Sequence, residues 1–175
     1  PIVVMGYSSC DRYDSVQTDR ERAMYLAVKY LVDIGHREIA YVGVDISSNS
    51  WHGTEKAAGF VSAIREYALT VNDDMFLKCH QGYIGGVQVA HKVAELPCTA
   101  VICDSDTIAI GLMSGLSKLG VTVPDKLSVI GYDGIEETAY QHVPLTTVAQ
   151  PFEDITRIAV DILLEKIKNR TGTLD

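Results

Sequence analysis

The sequence contains no apolar run long enough to cross a bilayer as a helix, which takes roughly 20 residues. Positive charge is also scarce, since 15 lysines and arginines stand against 23 aspartates and glutamates, for a formal net charge of -8. Proteins that grip a phosphate backbone do so with several clustered lysines and arginines. The composition therefore argues against nucleic-acid binding by this chain alone, and its partners are expected to be neutral or weakly cationic.

Cysteine is limited to four residues, and they show neither a CxxC pair nor the spacing of metal ligands. Cys10, Cys79, Cys98 and Cys103 lie mostly in or beside apolar runs, which predicts reduced and buried thiols in a cytoplasmic protein. No cofactor or metal is expected from this pattern. The chain opens on Pro1 within an apolar run and shows no signal peptide, which suggests a fragment of a longer protein.

Short apolar runs alternate with helical patterns along the chain. Strands are predicted at 1–5, 39–42, 75–79, 99–103, 127–132 and 145–148, and helices at 18–34, 55–68, 87–96, 106–119 and from 151 onward. This alternation predicts an α/β fold with a doubly wound parallel sheet. Residues 36–135 are predicted to form a C-terminal lobe, and residues 1–35 and 136–175 parts of an N-terminal lobe. Gly111 and Gly115 are small enough to let their helix lie close on the sheet.

The chemically informative residues concentrate where predicted strands end. The strand at 99–103 stops at Asp104, Ser105 and Asp106, and the next strand ends at Asp133. A right-handed crossover makes these two strands parallel, so all four side chains are expected at the carboxyl edge of the sheet. Open α/β sheets bind their ligands at that edge.

Three interpretations of Asp104 and Asp106 stay open on the residues alone. One aspartate can cap the following helix while the other is solvated. The pair is also similar to the DxD nucleophile and acid of haloacid-dehalogenase-like phosphatases, which hold magnesium, although here it comes late in the chain and residues 131–134 make a poor acidic pair. In the third interpretation, the carboxylates accept hydrogen bonds from ligand hydroxyls.

Five short motifs add a resemblance that covers nearly the whole chain. They are GHREIAYVG at 35–43, KAAGF at 56–60, TAV at 99–101, VPD at 123–125 leading to GYD at 131–133, and PLTTV at 144–148 leading to QP at 150–151. In this order they resemble the effector-binding domain of the LacI/GalR family of bacterial transcription regulators. The resemblance implies a periplasmic-binding-protein-like fold of two lobes, the N-terminal one incomplete, with a small ligand such as a sugar or nucleobase in the cleft. It further implies a non-enzymatic homodimer that contacts DNA only through a headpiece preceding Pro1.

The resemblance also implies an effector site. Asp106 matches an aspartate that commonly binds effector hydroxyls or a ring nitrogen, and Lys56 falls where the family usually has arginine. A lysine offers a point charge rather than a planar fork. Gln81 stands where an aromatic stacking residue is common. The predicted effector-binding residues are Asp106, Lys56, Ser50, Trp51, His52, Gln81 and Asp133.

Two alternatives to the regulator remain. An exported periplasmic sugar-binding protein shares the implied fold and often carries a Gly-x-Asp-Gly sequence like the one at 131–134. The motifs at 35–36 and 145–151 favour the regulator. The second alternative is a magnesium-dependent phosphatase that uses Asp104 and Asp106.

Overall fold

The computed structural model describes residues 1–6, 12–44, 51–70 and 72–171, and for 51–54, 170 and 171 it describes the backbone only. The chain forms two compact units. The minor unit comprises Pro1–Asp19 and Gln150–Asp175, and the major unit comprises Arg20–Ala149.

The strands are β1 (Val3–Met5), β2 (Asp14–Val16), β3 (Ile39–Val44), β4 (Phe76–Cys79), β5 (Ala100–Cys103), β6 (Ser128–Asp133) and β7 (Thr146–Ala149). The helices are α1 (Arg20–Asp33), α2 (Trp51–Glu66), α3 (Tyr83–Glu95), α4 (Asp106–Lys118) and α5 (Phe152–Thr171). Short 3₁₀ turns occupy Asp73–Met75 and Glu136–Thr138. None of the helices in the described ranges is both long and apolar enough to cross a membrane.

The major unit is built on a five-stranded sheet in the order β4-β3-β5-β6-β7, and every neighbouring pair is parallel. All four residues of β5 are buried, as the continuous apolar run 100–103 requires, because a parallel strand is covered on both faces. The prediction of an α/β fold with a doubly wound parallel sheet is confirmed.

Helices cover both faces of this sheet. Along β3, Ile39 and Tyr41 belong to the core formed with α1 and α2, whereas Ala40 and Val42 belong to the core formed with α3 and α4. The alternation follows from the strand geometry, in which successive side chains point to opposite faces. Parallel strands with helices on both faces place all their carboxyl ends at one edge.

The glycines of α4 face α3, which corrects the expectation that they let the helix lie on the sheet. A Cβ added at Gly111 would overlap the carbonyl oxygen of Tyr83, and one at Gly115 would lie 2.5 Å from the Cβ of Ala90. Gly86 of α3 approaches the backbone of α4 in the same way. Missing side chains at these positions thus allow the two backbones to pack in direct contact.

The boundaries of the major unit differ from the predicted lobe at 36–135. Helix α1 buries Met24, Val28 and Leu31 completely or nearly so, in the same core as β3 and β5. Strand β7 pairs with β6 and extends the sheet. An amphipathic helical pattern or an apolar strand pattern predicts that the element is buried, but it does not predict which sheet the element packs against or joins.

The minor unit contains β1, β2 and α5. Strand β2 pairs in parallel with β1, with Val3 opposite Asp14 and Met5 opposite Val16. The ammonium of Lys166 on α5 lies 2.6 Å from the carboxylate of Asp14. Strand β2 falls in a stretch that the sequence predicts as loop, because its three residues carry no apolar pattern.

Candidate functional site

Three buried polar side chains in the described part of the major unit lie at the carboxyl edge of the five-stranded sheet. Lys56, Asp104 and Asp106 are only 7%, 5% and 0% exposed, respectively. Strand β5 leads into Asp104, and β6 ends at Asp133. The topology therefore brings together residues that the sequence places at separate strand ends.

Ser105 caps helix α4. Its backbone is extended, with φ -152° and ψ 161°, and its Oγ accepts a hydrogen bond from the backbone N–H of Ile108 at 3.3 Å. Serine is among the preferred residues at this position because its oxygen satisfies one of the unpaired N–H groups of the first turn. The interpretation that an aspartate caps this helix is corrected, since the serine between the two aspartates does so.

Asp106 points into the major unit and binds two separate elements. Its Oδ2 accepts hydrogen bonds from the backbone N–H groups of Gly134 at 2.7 Å and Ile135 at 2.9 Å. Its Oδ1 accepts a hydrogen bond from the Thr147 hydroxyl at 2.5 Å. A side chain at Gly131 would collide with this carboxylate, so the glycine makes room for it. Asp106 thus ties the start of α4 to the turn after β6 and to β7.

Asp133 has a strained backbone. Its φ is +124°, and the following Gly134 has φ +77°. For a residue with a side chain, a conformation of this kind costs on the order of 1–3 kcal/mol and persists only where the surroundings enforce it. Asp133 is half-buried at the end of β6. Such strained residues cluster at functional sites.

A buried ion pair lies beside this turn. The Lys56 ammonium donates to the Asp104 carbonyl oxygen at 2.6 Å, lies 3.3 Å from Asp104 Oδ1, and sits 4.0 Å from the centre of the Tyr132 ring. The Tyr41 hydroxyl donates to Asp104 Oδ1 at 3.1 Å, and the Val44 N–H lies 3.4 Å from Oδ2. Burial, reinforced by the Asp104 charge, raises the pKa of Tyr41 well above its usual range, so this phenol remains a donor.

The other predicted site residues lie around the same edge or outside the described part. Ser50 is outside the described residues. Trp51 and His52 form the start of α2, which begins earlier than the predicted residue 55, and their side chains are not described. Gln81 is exposed in the turn between β4 and α3.

Tyr41, Tyr132 and Thr147 also belong to this edge, although no sequence pattern marks them individually. Tyr41, Tyr132 and Thr147 lie within the motifs at 35–43, 131–133 and 144–148, and this is the one sequence signal that could have found them. Its position in an apolar strand predicts Tyr41 only as a core residue of β3. The Asp104 carboxylate that accepts its hydroxyl hydrogen bond lies 63 residues away in the sequence.

The arrangement does not fit a phosphatase DxD pair. A nucleophilic aspartate and its acid partner must reach the substrate, whereas Asp104 and Asp106 are buried and accept hydrogen bonds from protein donors. Among the residues that the structure describes, no group of three or more histidine, cysteine, aspartate or glutamate side chains is placed to hold a metal ion.

The chain is similar in sequence to a family of binding domains and to bacterial transcriptional repressors. The family described as "Periplasmic binding protein-like domain" matches residues 28–174. The HTH-type transcriptional repressor PurR of Vibrio parahaemolyticus serotype O3:K6 is 41% identical over 173 residues, covering 97% of this chain and 51% of that protein. The ribose operon repressor of Haemophilus influenzae is 32% identical over 173 residues, with the same coverage of 97% and 51%. The chain thus spans about half the length of these curated relatives.

Solved structures give the same answer. A LacI family transcriptional regulator from Enterococcus faecium with bound ribose is 31% identical with a TM-score of 0.85, covering 96% of this chain and 62% of that one. A LacI family regulator from Lactobacillus casei with bound glucose is 29% identical with a TM-score of 0.86, covering 95% of this chain and 63% of that one. The chain therefore belongs to the periplasmic binding protein-like domain family, as an effector-binding domain of the LacI type.

Proposed function

We propose that this domain senses a small, neutral, polar effector for a bacterial transcription regulator, and that Asp133 is its principal acceptor. The observation that carries the proposal is the strained turn at Asp133, on the carboxyl edge of the sheet. A half-buried carboxylate there can accept charge-assisted hydrogen bonds from sugar hydroxyls or from the N–H of a base. Ser50, Trp51, His52 and Gln81 remain proposed contacts around it.

The charges beside the turn favour a neutral effector. Lys56 is a buried cation at this edge, and Asp104 compensates it through both its carbonyl and its carboxylate. An anionic ligand would have to compete with that buried carboxylate for the ammonium, and it would also be repelled by Asp133. An uncharged polyol or base does not compete with Asp104 for the ammonium and is not repelled by Asp133.

A sugar is the first candidate for the effector, and a purine base is the second. Ribose and glucose are bound in the similar regulators from Enterococcus faecium and Lactobacillus casei, and a ribose operon repressor is among the relatives. Several other relatives are repressors designated PurR, which makes a purine base the alternative. Both classes present the donors that an aspartate recognises.

We further propose that DNA contact belongs to a headpiece outside this chain. The relatives are transcriptional repressors about twice as long, and the net charge of -8 does not suit a phosphate backbone. The intact regulator is proposed to be a cytoplasmic homodimer without enzymatic activity. Repressors among the relatives favour this over a transport protein. Magnesium-dependent release of phosphate from an aryl phosphate would contradict the non-enzymatic part.

Calorimetric titration of the purified protein tests the effector proposal. Ribose, glucose and hypoxanthine are the neutral probes, and ribose 5-phosphate is the anionic comparison. We expect one neutral probe to bind, the phosphate ester to bind more weakly than ribose, and Asp133→Asn to weaken binding roughly ten- to a hundredfold, since a charge-assisted hydrogen bond contributes about 1.5–3 kcal/mol.

The matched control is Asp125→Asn, because Asp125 is an exposed aspartate that precedes the start of β6, at the opposite edge of the sheet. This variant should bind like the unaltered protein. Failure of all three neutral probes, or equal affinity in the Asp133→Asn variant, would overturn the proposal.

A further inference from the structure

Asp106 has no exposed surface, and this places it in a different role from Asp133. We infer that Asp106 is a positioning residue, which sets the direction of the Asp133 carboxylate without touching the effector. The inference rests on the proposed function of Asp133. It replaces the expectation that Asp106 itself binds effector hydroxyls.

The hydrogen bonds of Asp106 show how it acts on the turn. Gly134 and Ile135 donate two consecutive backbone N–H groups to the same oxygen, Oδ2, at 2.7 and 2.9 Å. Successive backbone N–H groups that converge in this manner form a nest for an anion. The Asp106 carboxylate occupies the nest that follows Asp133.

The hydrogen bonds of this nest hold the turn in its strained backbone conformation. Asp133 and Gly134 both have positive φ, of 124° and 77°. The glycine adopts such a value freely, but the aspartate does not. Because the N–H groups on the carboxyl side of Asp133 are held by a buried charge, the turn cannot relax to an ordinary extended backbone without leaving that charge with unmade hydrogen bonds, which is costly.

The two oxygens of Asp106 serve two separable tasks. Oδ1 accepts from Thr147 and attaches β7, whereas Oδ2 holds the turn. Thr147→Val therefore removes one hydrogen bond of the same buried carboxylate without touching the turn. It is the matched control, since a purely structural role of Asp106 would affect both variants alike.

The test is a double-mutant cycle of Asp106→Asn and Asp133→Asn, with the binding of ribose, or of hypoxanthine if that is the probe that binds, measured by calorimetry. Asp106→Asn should weaken binding roughly tenfold or more where Asp133 is intact, and by less than about twofold in the Asp133→Asn background. Thr147→Val should lower the melting temperature and leave affinity within about twofold. Equal losses in both backgrounds would show direct contact, and unchanged affinity with a lowered melting temperature would show a purely structural role. Either result overturns the inference.

Amide hydrogen exchange separates this inference from the effector proposal, because it needs no ligand. Asp106→Asn should accelerate exchange at Gly134 and Ile135, whereas Thr147→Val should not; unchanged exchange in the first variant would refute the positioning role even if no probe binds. Should Asp106→Asn fail to fold, Ile135→Pro deletes one donor to Oδ2 and keeps the bond to Thr147. Ile135 has φ -69°, a value that proline adopts. This variant should weaken binding by more than the twofold allowed for Thr147→Val, and unchanged affinity would again refute the inference.

Discussion

Replacing Lys56 by methionine should destabilise the domain, because the Asp104 carboxylate is then buried without its cation. Both partners of the ion pair are buried, with side chains 9% and 6% exposed for Lys56 and Asp104. Methionine is unbranched and flexible, so it fills the space along the Tyr132 ring without supplying a cation. The variant therefore isolates the electrostatic part of the contact.

The expected loss of stability depends on the hydrogen-bond donors that still surround Asp104 in the variant. Removing one partner of a buried pair costs about 3–5 kcal/mol. The lower end is expected here, because Asp104 keeps the Tyr41 hydroxyl at 3.1 Å and the Val44 N–H at 3.4 Å. With a urea dependence of about 2 kcal/mol per molar, a loss of about 3 kcal/mol lowers the denaturation midpoint by roughly 1.5 M.

Urea denaturation followed by far-ultraviolet circular dichroism measures this shift. The double variant Lys56→Met with Asp104→Asn removes both charges, so it should recover a large part of the loss, because a neutral amide is less costly to bury than an unpaired carboxylate. A loss below about 1 kcal/mol in the single variant, or a double variant no more stable than the single one, would refute the buried-pair reasoning.

Three further predictions concern the rest of the major unit. Gly111→Ala should cost about 1–3 kcal/mol because its Cβ overlaps the backbone of α3, whereas Ser114→Ala on the exposed side of the same helix should be nearly neutral in urea denaturation. Ser105→Ala should cost about 1 kcal/mol through loss of the α4 cap, measured in the same way. Burial raises the pKa of the Cys79 thiol from 9.0 to about 11, so the neutral thiol stabilises the fold below pH 9 and this contribution is lost as pH rises to 11. The fall in stability over that window should be smaller in Cys79→Ala, and an identical fall would contradict the assignment.

The sequence predicts the sheet of the major unit well because its strands carry strong local signals. Strand β5 is short, β-branched and buried throughout, and it could hardly be mistaken. Strand β2 carries no such signal, since Asp-Ser-Val takes its extended form from pairing with β1. Local sequence patterns therefore identify elements with a strong apolar signal of their own. They miss strands such as β2, whose extended form depends on pairing with another strand.

The direction of the site side chains could not be predicted in the same way. Asp106 does lie at the carboxyl edge, as the strand-helix pattern indicates. Its partners Gly134 and Ile135, however, are 28 and 29 residues away, and the carbonyl that Lys56 contacts is 48 residues away. Whether a carboxylate faces a ligand or its own chain depends on these distant donors, and a single sequence does not reveal them.

A crystal structure of the protein with ribose bound tests the proposed site most directly, with hypoxanthine in its place if calorimetry selects the base. We expect the ligand to donate hydrogen bonds to the Asp133 carboxylate, while Asp106 keeps its bonds to Gly134 and Ile135. A ligand bound to Asp106, or one that makes no contact with Asp133, would contradict the division of roles between the two aspartates.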